Sequence, residues 1–233
     1  MSKIETDWSF VNSSEVTPAG FSFAGIAAGL KNSNKKDLAL IVAPENSICS
    51  GLFTQSKVRA SCIEICEQRI KKSSGLIRAI LINSGQANAC TGELGIQHTL
   101  IATKAISELL GINEEEVLMC STGVIGIPLQ IKDLVNNLPD LVKDLEINNF
   151  QNAAEAILTT DLVEKKITIE TVIEGRKVTI SGFAKGSGMI YPNMATMLAF
   201  LTCDVGVEKE EWDKMISIAV NKSFNAISVD GET

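Results

Sequence analysis

Lys166-Ile-Thr-Ile-Glu-Thr-Val-Ile-Glu-Gly-Arg-Lys-Val-Thr-Ile-Ser-Gly-Phe183 alternates apolar and polar residues on both sides of Glu174-Gly175. Period-two alternation around a short glycine turn predicts a β-hairpin, with strands over 166–173 and 177–183. Outward from this pair, apolar runs predict strands over 38–43, 77–83, 117–121 and 197–204. Helical spacing predicts helices over 93–110, 129–137, 150–158 and 209–224. In the first helix Leu94, Ala102, Ile106 and Leu109 fall near one face, and Gly111 follows as a stop signal. Alternating strands and helices with one antiparallel pair indicate a layered α/β fold, not an all-β sandwich.

The hairpin runs directly into Lys185-Gly-Ser-Gly-Met-Ile-Tyr-Pro-Asn-Met-Ala-Thr196-Met-Leu198. This loop delivers a single hydroxyl, Thr196, to the mouth of the next strand. A threonine hydroxyl is a weak nucleophile without a neighbouring base, and the chain has one histidine, His98, inside a predicted helix. Scission of the Ala195–Thr196 bond would supply that base as the freed α-amine. Ala195 is small enough for a crowded tetrahedral intermediate, and Gly186 and Gly188 allow close backbone approach. Most threonines before a run such as Met-Leu-Ala-Phe simply begin a buried strand, and residue chemistry alone leaves that reading open.

Acyl chemistry also needs donors aimed at an oxyanion. Thr122-Gly123, after the strand that ends at Ser121, offers them, although many turns share this form. Lys185 is an isolated cation that suits a substrate carboxylate or a solvated surface. Thr159-Thr160-Asp161 reads as a binding loop or a cap, and the run from Asn83 to Gly92 as a polar loop of small residues after a strand. Lys185-Gly-Ser-Gly188 has its lysine on the wrong side of the glycines for a phosphate loop.

Composition excludes other classes. The 233 residues are 45% hydrophobic and 21% charged with a net charge of -7, and no basic block suits nucleic acid or an anionic membrane. The first ten residues resemble no secretory signal, and no apolar run is long enough to span a bilayer, which places the chain in the cytoplasm. The six cysteines lack Cys-x-x-Cys spacing and read as buried free thiols, and no metal site is expected. A turn signal at Ser228-Val-Asp-Gly-Glu-Thr233 precedes no further element, which reads as a truncation.

Five segments in order carry a resemblance: Gly20-Phe-Ser-Phe-Ala-Gly-Ile-Ala-Ala-Gly29, Asn88-Ala-Cys-Thr-Gly92, Ser121-Thr-Gly-Val-Ile-Gly126, Ala156-Ile-Leu-Thr-Thr-Asp161 and the run from Lys185 to Thr196. Together they resemble the ornithine acetyltransferase, or ArgJ, family. The resemblance implies an α-β-β-α sandwich of the ArgJ/DmpA-like type, incomplete at its C-terminal end. It implies self-cleavage between Ala195 and Thr196, giving an α-chain portion (1–195) and the start of a β chain (196–233). By position, Thr196 would be the nucleophile, Thr122 and Gly123 the oxyanion hole, and Thr159, Lys185 and Thr196 substrate contacts. The implied reaction moves acetyl from N-acetylornithine to glutamate without metal or cofactor, with acetyl-CoA an additional donor in some members, in an assembly of two α and two β chains. A related self-processing aminopeptidase or amidase, and an inactive truncated fragment, are the rival readings.

Overall fold

β3 (Leu38–Val42) reads Leu-Ala-Leu-Ile-Val, and an apolar run of that kind needs cover on both faces. The computed structural model, which describes residues 7–191 and 196–231, supplies it. β3 lies inside a sheet formed with β2 (Ser22–Ile26), β4 (Ala79–Asn83) and β5 (Val117–Ser121), in the order β2-β3-β4-β5. The β2–β3 and β3–β4 pairs are antiparallel, and β4–β5 is parallel. Leu38, Leu40, Leu81 and Met119 point to one face. There they meet Cys62 of α1 (Ser61–Lys72), Ala102 and Ile106 of α2 (Gly92–Leu110), and Leu134, Leu138 and Leu141 of α3 (Ile131–Lys143).

Phe23, Ala39, Ile41 and Ile82 point to the other face and meet Phe150 and Ala153 of α4 (Phe150–Ala156). Phe150 is the hinge between layers. Its ring contacts Phe23 edge-on at 5.2 Å and Phe183 at 5.3 Å, and Phe183 continues to Phe200 at 5.4 Å. Such pairs add about 0.5–1.5 kcal/mol each beyond their burial.

Phe183 and Phe200 belong to a second sheet in the order β1-β6-β7-β8, antiparallel throughout: β1 (Ser9–Val11), β6 (Lys165–Ile173), β7 (Arg176–Lys185) and β8 (Leu198–Cys203). β6 and β7 form the predicted hairpin, with Glu174 and Gly175 both at positive φ as its turn requires. α5 (Lys209–Lys222) follows β8 and is tied by Asp213 to the Ser50 hydroxyl. The layered α/β reading holds. The expected division at 195/196 falls within the second sheet, because β7 pairs with β8 from Lys185↔Leu198 to Ile180↔Cys203. No helix among the described residues is long and apolar enough to cross a membrane.

The structure corrects three expectations. Leu94 and Leu109 do not share the buried face of α2; they are 43% and 45% exposed, and Gly95, Thr99, Thr103 and Ser107 lie inward beside Ala102 and Ile106. Small residues let α2 approach its neighbours, and the hydroxyls of Thr99 and Ser107 bond carbonyls of their own helix, so burial costs them little. Only Cys62 and Cys66 are fully buried; Cys49, Cys120 and Cys203 are partly exposed, Cys90 is exposed, and all six are free. The helix expected to stop at 137 continues to Lys143 through Pro139, because the buried Leu138 and Leu141 offset the backbone bond that proline forfeits.

Candidate active site

The parallel pairing of β4 with β5 releases two loops side by side. Thr122 N–H donates to Asn83 O at 2.9 Å, Val124 N–H to Gly85 O at 3.1 Å, and Ala87 N–H to Val124 O at 2.9 Å. This zipper passes through Gly123 at φ +123°, where an added Cβ would stand 2.3 Å from Gly85 O. Only glycine fits. Among the described residues, no acceptor takes the Gly123 N–H.

From the second sheet, Lys185 reaches across the gap between layers. Its Nζ donates to Thr122 Oγ1 at 3.1 Å and to Thr196 O at 3.1 Å. The residue is 3% exposed, and burial pushes its amine below the ordinary lysine value; Asp161 opposes this, and Lys165 adds to it. Lys185 is thus an inward bridge between the turn and the threonine, not a solvated surface group.

Thr196 adopts φ +70°. A β-branched residue in the left-handed region is strained by about 1–3 kcal/mol and persists only where its surroundings enforce it. The surroundings here are the β7–β8 ladder on one side and the Lys185 bond to its carbonyl on the other. Ala195, the other half of the expected scissile bond, lies outside the described residues. Thr122, Gly123 and Thr196 line one cavity of about 750 Å³, together with Cys90 and the apolar side chains of Ile41, Leu118 and Leu198. Thr159 does not join them. It sits half-buried after α4 and does not line this cavity.

Two further charged residues, Asp161 and Lys31, connect to Lys185. The Asp161 side chain is fully buried; its Oδ1 accepts from Gly186 N–H at 2.9 Å and from the Lys165 ammonium. Lys31 Nζ donates to Leu158 O at 2.6 Å and to Lys36 O at 3.0 Å. Burial brings the Lys31 amine down to about 8; Asp37 resists, and Lys35 and Lys185 add to the fall. Asp161 had one sequence signal, its place in Thr159-Thr160-Asp161. Lys31 had none, because its partners lie as far away as Leu158. His98 lies in α2, where burial lowers its imidazole below the ordinary value. Among the described residues, no three of His, Cys, Asp or Glu group as metal ligands do.

The sequence profile of the ArgJ family matches residues 22–233. This chain belongs to the ArgJ family. It is 87% identical over 219 residues to the arginine biosynthesis bifunctional protein ArgJ of Prochlorococcus marinus (strain MED4), covering 94% of this chain and 54% of that one. It is 47% identical to the ArgJ of Synechocystis sp., covering 97% of this chain and 55% of that one. The chain therefore spans about half the length of the curated relatives it matches. Among solved structures, ArgJ of Bacillus halodurans aligns with a TM-score of 0.75 and 36% identity, covering 82% of this chain and 100% of that one. Ornithine acetyltransferase of Mycobacterium tuberculosis, complexed with ornithine, aligns with a TM-score of 0.73 and 32% identity, covering 81% and 100%.

Proposed function

We propose that Thr196 is the nucleophile of a self-cleaving acetyltransferase of arginine biosynthesis, which moves acetyl from N-acetylornithine to glutamate. The observation that carries this reading is the buried Lys185 bridge between Thr122 Oγ1 and Thr196 O, beside a threonine held in a left-handed backbone.

In the first step Thr196 Oγ1 attacks the Ala195 carbonyl, the Ala195 C–Thr196 N bond breaks as the nitrogen takes up a proton, and the amide becomes an ester with a free α-amine on Thr196. Water then cleaves the ester, releasing the Ala195 carboxylate and restoring the Thr196 hydroxyl. That amine, with an ordinary value near ~7.7–8.0, then serves as the base for its own hydroxyl. The nearby Lys185 ammonium disfavours a second positive charge and keeps the α-amine in its basic form. The β7–β8 ladder holds the new terminus in place after scission, since its six residue pairs span the cut.

In the transfer cycle the hydroxyl takes acetyl from N-acetylornithine and releases ornithine. Glutamate then accepts the acetyl group. The Gly123 N–H, unclaimed among the described residues, would receive the oxyanion of each tetrahedral intermediate, beside Thr122. Thr159, which does not line the cavity of Thr122, Gly123 and Thr196, would meet the substrate from outside it; acetyl-CoA would be an additional donor, no metal is called for, and two such cut pairs would associate in the cytoplasm. The lengths of the relatives support a cut precursor. The two solved chains are each matched whole by 82% and 81% of these 233 residues, about 190, whereas the curated relative from Prochlorococcus marinus, matched over 54% of its length, is much longer than this chain.

The test is acetyl transfer. With N-acetylornithine carrying labelled acetyl, the label should appear on the piece that begins at Thr196 and leave it when glutamate is added. Thr196→Ala should acquire none. Label that departs at the same rate with and without glutamate contradicts the transferase reading and favours a hydrolase.

A further inference from the structure

The Lys185 bridge between Thr122 and Thr196 depends on where the end of β7 is held and on the charge that surrounds its buried amine. Both converge on one side chain. Asp161 follows the bend at Thr159 and Thr160 after α4, and its side chain has no exposed surface. Its Oδ1 accepts the Gly186 N–H at 2.9 Å, immediately after Lys185. Gly186 has φ +149°, and an added Cβ would stand 3.0 Å from Ile190 Cδ1, so the chain turns there in a shape glycine alone takes easily. A second bond joins the same two loops, Thr160 Oγ1 to Ser187 Oγ at 2.6 Å.

The charges follow the same arrangement. Asp161 is the negative group that acts on Lys185, and Lys165 is the competing cation. Lys31, faced by Asp37, also feels Lys185. Lys185 thus feels one competing cation and one carboxylate, and that carboxylate belongs to Asp161. Its second oxygen, Oδ2, is buried without a hydrogen-bond partner among the described residues. An acceptor left bare at such a depth costs about 1–3 kcal/mol, more for a charged group. A carboxylate retained at that cost acts through its charge. Burial pushes its acid strength down, and the Lys165 and Gly186 bonds with the charges of Lys165 and Lys185 outweigh that, leaving it below the ordinary aspartate value.

We propose that Asp161 is the positioning residue of this site: through the Gly186 amide and its charge, it holds the Lys185 ammonium across Thr122 and Thr196. The proposal deepens the reading of Thr196 as nucleophile and rests on it for the effect on scission.

The experiment uses the full chain with lysines labelled at 13Cε. In the unmodified protein the Gly186 amide should exchange at least about 10-fold more slowly than an open peptide; exchange at the open-peptide rate overturns the positional role without any variant. The Lys185 signal should show a second inflection at acid pH, as Asp161 takes up its proton below the usual aspartate range. A flat acid limb overturns the charge role. Asp161→Asn keeps an oxygen for Gly186 and removes the charge. It should lower the Lys185 midpoint by about one unit or more and slow scission before Thr196 about tenfold at neutral pH, whereas an unchanged midpoint in the folded variant contradicts the proposal. Should the unmodified chain never split, the nucleophile reading falls, while the Lys185 midpoint still decides the role of Asp161.

Discussion

β3 and β8 have similar compositions and opposite duties. β3 is closed on both faces, by α1–α3 on one side and by α4 with the second sheet on the other. β8 buries Phe200 and Thr202 while Leu201 stands 48% exposed, and its leading residue pairs with Lys185 beside the strained Thr196. The first sheet is a rigid back wall. The second is half-wet, and its edge near Thr196 stores backbone strain that the wall and the Lys185 bridge hold in place. A reactive bond can be kept strained only where its surroundings are over-determined, and here two layers share that task.

Leu40→Ala, in the wall, should cost about 2–5 kcal/mol, because it opens a cavity between α3 and the sheet. Leu201→Ala, on the wet face of β8, should cost under about 1 kcal/mol. Urea titration of both variants checks the contrast, and equal losses would break it. Gly123→Ala comes next. The new methyl would press on Gly85 O where φ is +123°, so stability should fall by about 3 kcal/mol and scission should stop.

Thr196→Gly should change stability in the opposite direction. Releasing a β-branched residue from φ +70° should stabilise the uncut chain by about 1 kcal/mol, offset in part by the extra freedom of glycine in the unfolded chain. It should also leave the chain whole. A thermal midpoint below that of Thr196→Ala would argue against strain at this position.

The smallest effect is in pH dependence. The folded chain holds the Lys31 amine at about 8 against an ordinary 10.5. Above pH 8 the unfolded chain therefore keeps a proton that the folded chain has released, and stability should rise with pH. Cys49 and Cys62, against the wall, act oppositely: burial pushes both thiols up to about 12 from 9.0. Above pH 9 the unfolded chain loses protons that the folded chain retains, and stability should fall. Lys31→Met should reduce the rise above pH 8 to the part that Lys185 supplies and leave the fall above pH 9, as denaturant titration across both ranges would show.

Much of this was legible in the sequence where local pattern and burial agree. The strand over 117–121 is found as read, and the hairpin, β3, β4, β8 and the four expected helices differ only at their ends. β1, β2 and α1 were not anticipated. β2 reads Ser-Phe-Ala-Gly-Ile, and its Gly25 looks like a strand breaker. Its use appears only when α4 packs so close that a Cβ there would stand 2.1 Å from Asn152 O. α1 begins after Ala60 with no side-chain cap, so it lacked the signal by which helix starts are read. In the site, Thr122, Gly123, Lys185 and Thr196 stood in motifs and are found together. Asp161 and Lys31 take their roles from contacts with residues 25 and 127 positions away, which no local pattern carries.

Amino-terminal sequencing of the freshly purified chain decides most directly whether the strained threonine breaks its own backbone. Two termini are expected, one from the start of the chain and a second reading Thr-Met-Leu-Ala-Phe, with the second absent from Thr196→Ala. A single terminus from the unmodified chain, folded and incubated at neutral pH, would contradict scission before Thr196.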